Sequence, residues 1–214
     1  MTGDGRFARI GGAVLTGGAS ARMGRDKARL EVGGVAVATR LAGLLATLCE
    51  DVALVGGEPP ADAPGRFVDD VPGPRCALRG LIGALEAFDT QKVLVVATDL
   101  PLLTPELLLA LVAWPDADAV VPDPEGGPQP LCALYRREPA LARARANFES
   151  DRLALRALLD ALETDYLGPS DLAAVDPLGR ALHNVNTPDD LARAEVWLRS
   201  PGQGVSGSSS TPLE

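Results

Sequence analysis

The alternation of short apolar runs with helix-length segments constrains this chain more than any other feature. Residues 10–15 combine apolar side chains and glycine in a run suited to a strand buried on both faces. Residues 35–49 carry apolar side chains at helical spacing (Val37, Leu41, Leu44, Leu45, Leu48), and 51–55 read as a second strand ended by Gly56-Gly57 and Pro59-Pro60. These three segments predict a βαβ unit. The pattern continues with a short strand at Phe67-Val68, a helix over 78–88 and a strand over 92–97. A helix over 105–113 follows, with Pro105 in its first turn behind Thr104 as N-cap. Strands near 119–121 and 131–135, helices at about 139–148 and 153–162, strands at 164–167 and 182–185, and a helix from Pro188 complete the reading. Such an order predicts an α/β, three-layer, Rossmann-like fold: a mostly parallel sheet with helices on both faces and right-handed crossovers. In open sheets of this kind ligands bind outside the carboxyl ends of the strands, near a switch in strand order. The residues that follow each strand are therefore the ones to examine.

Composition narrows the functions available. With 214 residues, 46% of them hydrophobic, one sizeable domain is expected over residues 1–200. The Gly/Ser-rich tail 201–214 has too little apolar surface to order itself. A net charge of −9 repels polyanions, which argues against a general nucleic-acid or anionic-membrane binder. The first residues lack a secretory apolar stretch and no run approaches a bilayer span, so a cytoplasmic protein is expected. Cys49, Cys76 and Cys132 are odd in number and widely spaced, which fits buried reduced thiols better than a disulfide framework or a zinc site. His183 is the only histidine, so sites built on several imidazoles are excluded and any Ser/His/Asp arrangement must pass through it. A structural role for His183 is the simpler expectation.

The strongest local signal follows the first strand, where the chain reads Leu15-Thr16-Gly17-Gly18-Ala19-Ser20-Ala21-Arg22-Met23-Gly24-Arg25-Asp26-Lys27. Glycines free the backbone to turn several N–H groups toward one point, and Arg22, Arg25, Lys27 and Arg29 cluster here in an otherwise acidic protein. This predicts a phosphate cradle. It is neither a GxxxxGK[ST] loop, since two residues separate Gly24 from Lys27 and Ala28 replaces the metal-binding hydroxyl, nor a GxGxxG loop. Asp99, after the apolar strand 92–97, is a carboxylate held at a strand end, a hard oxygen donor suited to Mg²⁺; turn formation before Leu100-Pro101 is its alternative role. Asp69-Asp70 closes the strand at Phe67 and by itself reads as a solvated turn before Pro72-Gly73. Asn184 and Asn186 flank Val185, so strand alternation puts both amides on one face, while Asn186-Thr187-Pro188 is also a good helix start with Asp189 and Asp190 in the first turn.

Leu15-x-Gly17-Gly18-x-Ser20-x-Arg22-Met23-Gly24-x-Asp26-Lys27 closely resembles the signature of the GT-A-like nucleotidyltransferases, and within them the molybdenum cofactor guanylyltransferases. Asp70, Thr98-Asp99-Leu100-Pro101, Gln129-Pro130-Leu131-x-Ala133-Leu134-Tyr135-Arg136 and Asn184-Val185-Asn186-Thr187-Pro188-Asp189-Asp190-Leu191 extend the resemblance over about residues 10–198 in the family's order. It implies a GT-A-like sheet and attack by the terminal phosphate of molybdenum-bearing molybdopterin on the α-phosphorus of GTP, with release of pyrophosphate. It also implies Mg²⁺ on Asp99, guanine hydrogen-bonded to Asp70, nucleotide contacts along Leu15, Thr16, Gly17, Gly18, Lys27, Leu78 and Gly80, and a molybdopterin side carrying Asn184 and Asn186. Lys27, Arg22 and Asp99 are the expected catalytic groups. Nucleotidyl transfer to a phosphate joins two anionic partners, so loop cations that offset charge and hold an in-line geometry are what the chemistry needs. Expected partners are GTP, the molybdopterin cofactor and, transiently, the molybdoenzymes or chaperones that receive the product.

One segment departs from the family. Gly-Pro-Leu-Ala-Gly is usual before the third helix, and here the chain reads Cys76-Ala77-Leu78-Arg79-Gly80. Arg79 in place of a small residue either obstructs the base or adds a phosphate contact, which leaves open CTP on molybdopterin, or GTP on another small phosphorylated acceptor. A non-enzymatic nucleotide-binding scaffold is disfavoured by the presence of Lys27 and Asp99, and a dinucleotide-dependent oxidoreductase by the lack of GxGxxG.

Overall fold

A computed structural model describes residues 7–17 and 29–199. Gly18, Arg22 and Lys27, and the tail 201–214, lie outside the described residues. In chain order the elements are β1 (Phe7–Leu15), β2 (Glu31–Val32), β3 (Val35–Ala36), α1 (Val37–Leu48), β4 (Cys49–Val55), β5 (Arg66–Val68), α2 (Ala77–Glu86) and β6 (Lys92–Ala97). After these come α3 (Pro105–Ala113), β7 (Ala119–Pro122), β8 (Cys132–Arg136), α4 (Arg137–Glu149), α5 (Leu155–Leu159), β9 (Thr164–Leu167), α6 (Pro169–Val175) and α7 (Pro188–Arg199).

Seven strands form one sheet in the order β5-β4-β1-β6-β8-β7-β9. All neighbours are parallel except where β8 runs antiparallel to β6 and β7. The order follows from which strands can be buried twice. In β6, Leu94 and Val96 join the core on one face while Val93, Val95 and Ala97 join the core on the other, and β1 divides Val14 from Ala13 and Leu15 in the same way. Leu41 and Leu45 of α1 and Leu107, Leu108 and Leu111 of α3 cover the first face; Leu81 and Leu85 of α2 and Ala140 and Ala144 of α4 cover the second. The result is the expected mostly parallel α/β sheet with helices on both faces.

From β1 the chain passes outward through β4 to β5, then returns to place β6 on the other side of β1. This reversal is the switch in strand order, and β1 stands at it. Two expectations need correction. Residues 182–185 form no strand, because the turn runs on through Leu182. Ala181 N–H donates to the Asp176 carboxylate (2.7 Å) and His183 N–H to the Arg180 carbonyl (3.1 Å), which leaves only Val185 N–H to bond the Asp99 carbonyl (2.7 Å). The helix expected over 153–162 is limited to α5, after which Ala161 and Leu162 donate to carbonyls three residues back in tighter turns.

Candidate functional site

Register brings four strand ends to one edge of the sheet. Leu15 lies opposite Val55 in β4 and Ala97 in β6, and Val55 opposite Val68 in β5. The segments starting at Thr16, Gly56, Asp69 and Thr98 therefore emerge side by side. Thr16 is fully buried, with its hydroxyl directed at the Val55 and Gly56 carbonyls, and the N–H groups of Thr16 and Gly17 both donate to Val55 (2.9 and 3.2 Å). On the other flank Thr98 directs its N–H and its hydroxyl to the Leu15 carbonyl, each at 3.3 Å. The end of β1 is thus clamped from both sides, and from this fixed point the segment 18–28 departs. It returns at Arg29, whose Nε donates to the Glu58 carbonyl (3.3 Å), so both ends of the basic, Gly-rich segment are fastened beside the end of β4.

Asp70 lies across the ends of β1 and β4. A Cβ on Gly56 would sit 2.8 Å from its Oδ1, and one on Gly17 would sit 3.1 Å from its Oδ2. Gly56 also has φ +72°, a left-handed conformation costly for other residues, so glycine there serves both the turn and the approach of the carboxylate. The sequence placed Asp70 in a turn or against a base, and the structure adds a partner that neither suggests. Arg79 donates to Asp70 Oδ2 at 2.5 Å and to the Gly73 carbonyl at 3.1 Å. Arg79 is thereby committed to the carboxylate and to the turn beside it.

Asp99 is half-buried at the end of β6. Its negative charge reaches Cys132 at the start of β8, where burial first and this carboxylate second push the thiol up to about 12. Cys132 is therefore an un-ionised packing residue, as is Cys49, pushed up to about 12 by burial. The bond from Val185 N–H to the Asp99 carbonyl lays the backbone of 184–186 beside the loop that carries Asp99. Val185 is buried between Asn184 and Asn186. The helix-start expectation also holds: Asp190 N–H donates to the Thr187 hydroxyl (3.2 Å), and the Asp190 carboxylate accepts from Asn186 N–H (3.1 Å), Thr187 N–H (3.0 Å) and the Thr187 hydroxyl (2.8 Å). His183 packs edge-on against Trp197 at 4.9 Å, a structural position.

Leu78 and Gly80 belong to the first turns of α2. The Leu78 side chain is fully buried in the core, so any ligand contact there falls to its backbone, and a Cβ on Gly80 would touch Leu15 at 3.8 Å. Among the described residues no group of three or more His, Cys, Asp or Glu gathers as a metal cage. Mg²⁺ is ordinarily held by one or two carboxylates together with substrate phosphates, so Asp99 alone is a fitting donor.

An edge made of four strand ends at a switch point, with Asp70 and Asp99 following two of them, is where open α/β sheets take their ligands, and it defines an α/β protein of that class. The family model for the MobA-like NTP transferase domain matches residues 12–165, and the chain belongs to that family. A relative from Chloroflexus aggregans, named a probable molybdenum cofactor guanylyltransferase, is 38% identical over 198 residues, which cover 88% of this chain and 95% of the relative. Among solved structures, the molybdopterin-guanine dinucleotide biosynthesis protein A of Archaeoglobus fulgidus superposes with a TM-score of 0.75 at 24% identity, covering 88% of this chain and 98% of that one. The 2-C-methyl-D-erythritol 4-phosphate cytidylyltransferase of Thermus thermophilus gives 0.66 at 17% identity, covering 87% and 98%. At these identities both structures speak to the fold.

Proposed function

We propose that the chain transfers GMP from GTP to the terminal phosphate of molybdenum-bearing molybdopterin. An oxygen of the acceptor phosphate bonds to the α-phosphorus, the bond to the bridging oxygen breaks, and its electron pair leaves with pyrophosphate. The observation that carries this reading is the Asp70 carboxylate against Gly17 on one side of the β1 exit, with Asp99 following β6 on the other, where the basic segment begins. Asp70 accepts hydrogen bonds from guanine in this reading, with the backbone of Leu78 and Gly80 as further contacts. Leu15, Thr16 and Gly17 fix the start of the loop, and Gly18 presents backbone to the phosphates. Lys27 and Arg22 offset charge on the phosphoryl oxygens and on the departing pyrophosphate. Asp99 would hold Mg²⁺. Bound there, the ion supplies further neutralisation of the triphosphate. Asn184 and Asn186, lying along the Asp99 loop, offer neutral donors and acceptors to the pterin side.

The name of the Chloroflexus relative supports the same reaction, and a cytoplasmic setting with transient hand-over to molybdoenzymes or their chaperones completes the proposal. Among the described residues no helix is long and apolar enough to cross a membrane. A second reading, CTP on the same acceptor, is favoured by one observation: Arg79 already occupies an oxygen of Asp70 that guanine would use. Pyrophosphate release from GTP, CTP and ATP, each with Mg²⁺ and molybdopterin, separates the two. Release with GTP at about ten times the rate of the others supports guanylyl transfer. Release with CTP at an equal or higher rate refutes it.

A further inference from the structure

The Asp70 carboxylate lies flat over Gly56. A Cβ on that glycine would stand 2.8 Å from Cγ, 2.8 Å from Oδ1 and 2.9 Å from Oδ2, so the glycine meets the face of the carboxylate and neither oxygen more than the other. The lone pairs lie in the carboxylate plane, and an ionised carboxylate offers about four acceptor positions there. Among the described residues one side chain donates to it: Arg79, to Oδ2 at 2.5 Å. Oδ2 keeps a second position and Oδ1 keeps both, so this carboxylate can still meet a base edge with two donors, such as N1–H and the 2-amino group of guanine. What the pairing changes is the carboxylate's freedom to turn.

Arg79 reaches Asp70 because of where it stands on α2. It is the third residue of that helix, and helical side chains lean toward the N-terminus, so the guanidinium is carried back over the turn that joins β5 to α2. There it makes two bonds, to Asp70 and to the Gly73 carbonyl at 3.1 Å. One planar fork thus ties together the two ends of 70–73, a geometry suited to arginine rather than to a point charge. Gly73 in turn is pressed against Phe148 at the end of α4: it has φ +131°, and a Cβ there would come within 2.7 Å of the ring. The second anchor of the fork is therefore backed by another helix. The side chains of Arg79 and Asp70 are both about one-fifth exposed, so little water competes for their bond. A cation in the first turn works against the helix dipole, and Cys76 gives α2 no side-chain cap, so the helix itself does not call for an arginine here. The bonds it makes go to the turn that carries Asp70.

We infer that Arg79 is a positioning residue for base selection: anchored at Gly73, it fixes the plane of the Asp70 carboxylate so that acceptor positions on both oxygens are held ready for the base together. The inference rests on the reading of Asp70 as the base acceptor and deepens it. Arg79 acts through Asp70 and touches neither base nor phosphate. Without it the carboxylate is free to turn beside Gly17 and Gly56, where no Cβ stands to stop it. Ordering it again at each binding event then costs affinity, most of all for a base that uses both oxygens at once. GTP bears that cost, and CTP, whose base has a single donor group, bears less of it.

Competition calorimetry on the full chain with GTP and CTP, in the presence of Mg²⁺, tests this on the wild type, Arg79→Met, Asp70→Ala and the double variant, with a thermal melt of each. The readout is the GTP-to-CTP affinity ratio, in which any general effect of a lost positive charge on triphosphates drops out. Arg79→Met should lower the ratio about threefold or more, as suits one side chain left for the ligand to order, and in the Asp70→Ala background the same substitution should leave the ratio unmoved. Arg79→Gln, which keeps a polar head but not the fork, should lower it too and answers the question if Arg79→Met folds poorly. A ratio unchanged in both Arg79 variants while Asp70→Ala lowers it, whether or not the melting point falls, confines Arg79 to a structural role and overturns the inference alone. A further fall in the double variant means that Arg79 reads the base itself, and overturns it as well. An unchanged ratio in Asp70→Ala overturns the reading of Asp70 and the inference with it.

Discussion

Gly56 and Asp70 show how much a single position carries. Gly56→Ala must place a Cβ 2.8 Å from the Asp70 carboxylate at φ +72°. The expected cost is about 1–3 kcal/mol of stability together with weaker GTP binding, read from a denaturation midpoint and a nucleotide titration. Unchanged GTP affinity in the variant would separate the turn from the site. Asp99→Asn preserves shape and removes an anionic oxygen. The Mg²⁺ concentration needed for half-maximal rate should rise far more than metal-free nucleotide affinity changes, and an unmoved Mg²⁺ titration contradicts the metal role. The places of Asp99 after a strand and of Asn184 and Asn186 around a buried residue follow from spacing, whereas Asp70 by spacing alone is a turn residue and only the family resemblance sets it against a base. The Arg79–Asp70 pair follows from neither. Its partners are nine positions apart across a turn, and only the packing of α2 against the end of β1 sets their approach.

At the scale of elements, legibility followed composition. β6, α3 and β9 occupy the expected residues because apolar runs with clear stops, or a Thr-Pro start, bound them. β3 was absorbed into the start of α1 and β2 was not read, although Val32-Gly33-Gly34-Val35 carries the signal of their hairpin: a two-residue turn with φ +63° and +76°. α6 was also missed, despite Pro169 in its first turn and an Asp171 carboxylate that accepts from Gly168 N–H at 3.0 Å. Residues 182–185 had strand composition, but the preceding turn left one bond to make. The start of α7 yields a prediction with a defined sign. The Thr187 hydroxyl first, and then Asn186 N–H, hold the Asp190 carboxyl below the usual carboxylate range. A carboxyl lowered in the folded state contributes stability that is complete above its unfolded value, about 4, and is lost as pH falls through the folded value. Asp190→Asn should therefore be less stable than the wild type near neutrality and indistinguishable from it well below that value. A stability gap that persists in acid would mean that packing rather than charge holds the helix start. Thr187→Ala should cost about 1 kcal/mol at any pH where Asp190 is ionised, measured by thermal melting.

Across the whole molecule, a net charge of −9 coexists with a short segment dense in cations, so binding of a triphosphate depends on local rather than global charge. Lys27→Ala should leave the melting transition in place, because a loop cation contributes to transition-state charge more than to core packing, while turnover falls by about a hundredfold or more. Wild-type turnover in a folded Lys27→Ala protein would remove Lys27 from the mechanism. The sheet positions four strand ends, the clamp on β1 fixes where the loop begins, and in the proposed reading Asp70 takes the base and Asp99 the metal. If that division serves guanylyl transfer, the α-phosphate of GTP must end on the acceptor. Incubation of the protein with Mg²⁺, molybdenum-bearing molybdopterin and GTP labelled at the α-phosphorus tests this most directly. The account predicts one labelled dinucleotide formed per pyrophosphate released, with both dependent on the acceptor. Label recovered as free GMP or GDP, or pyrophosphate released equally without molybdopterin, would contradict it.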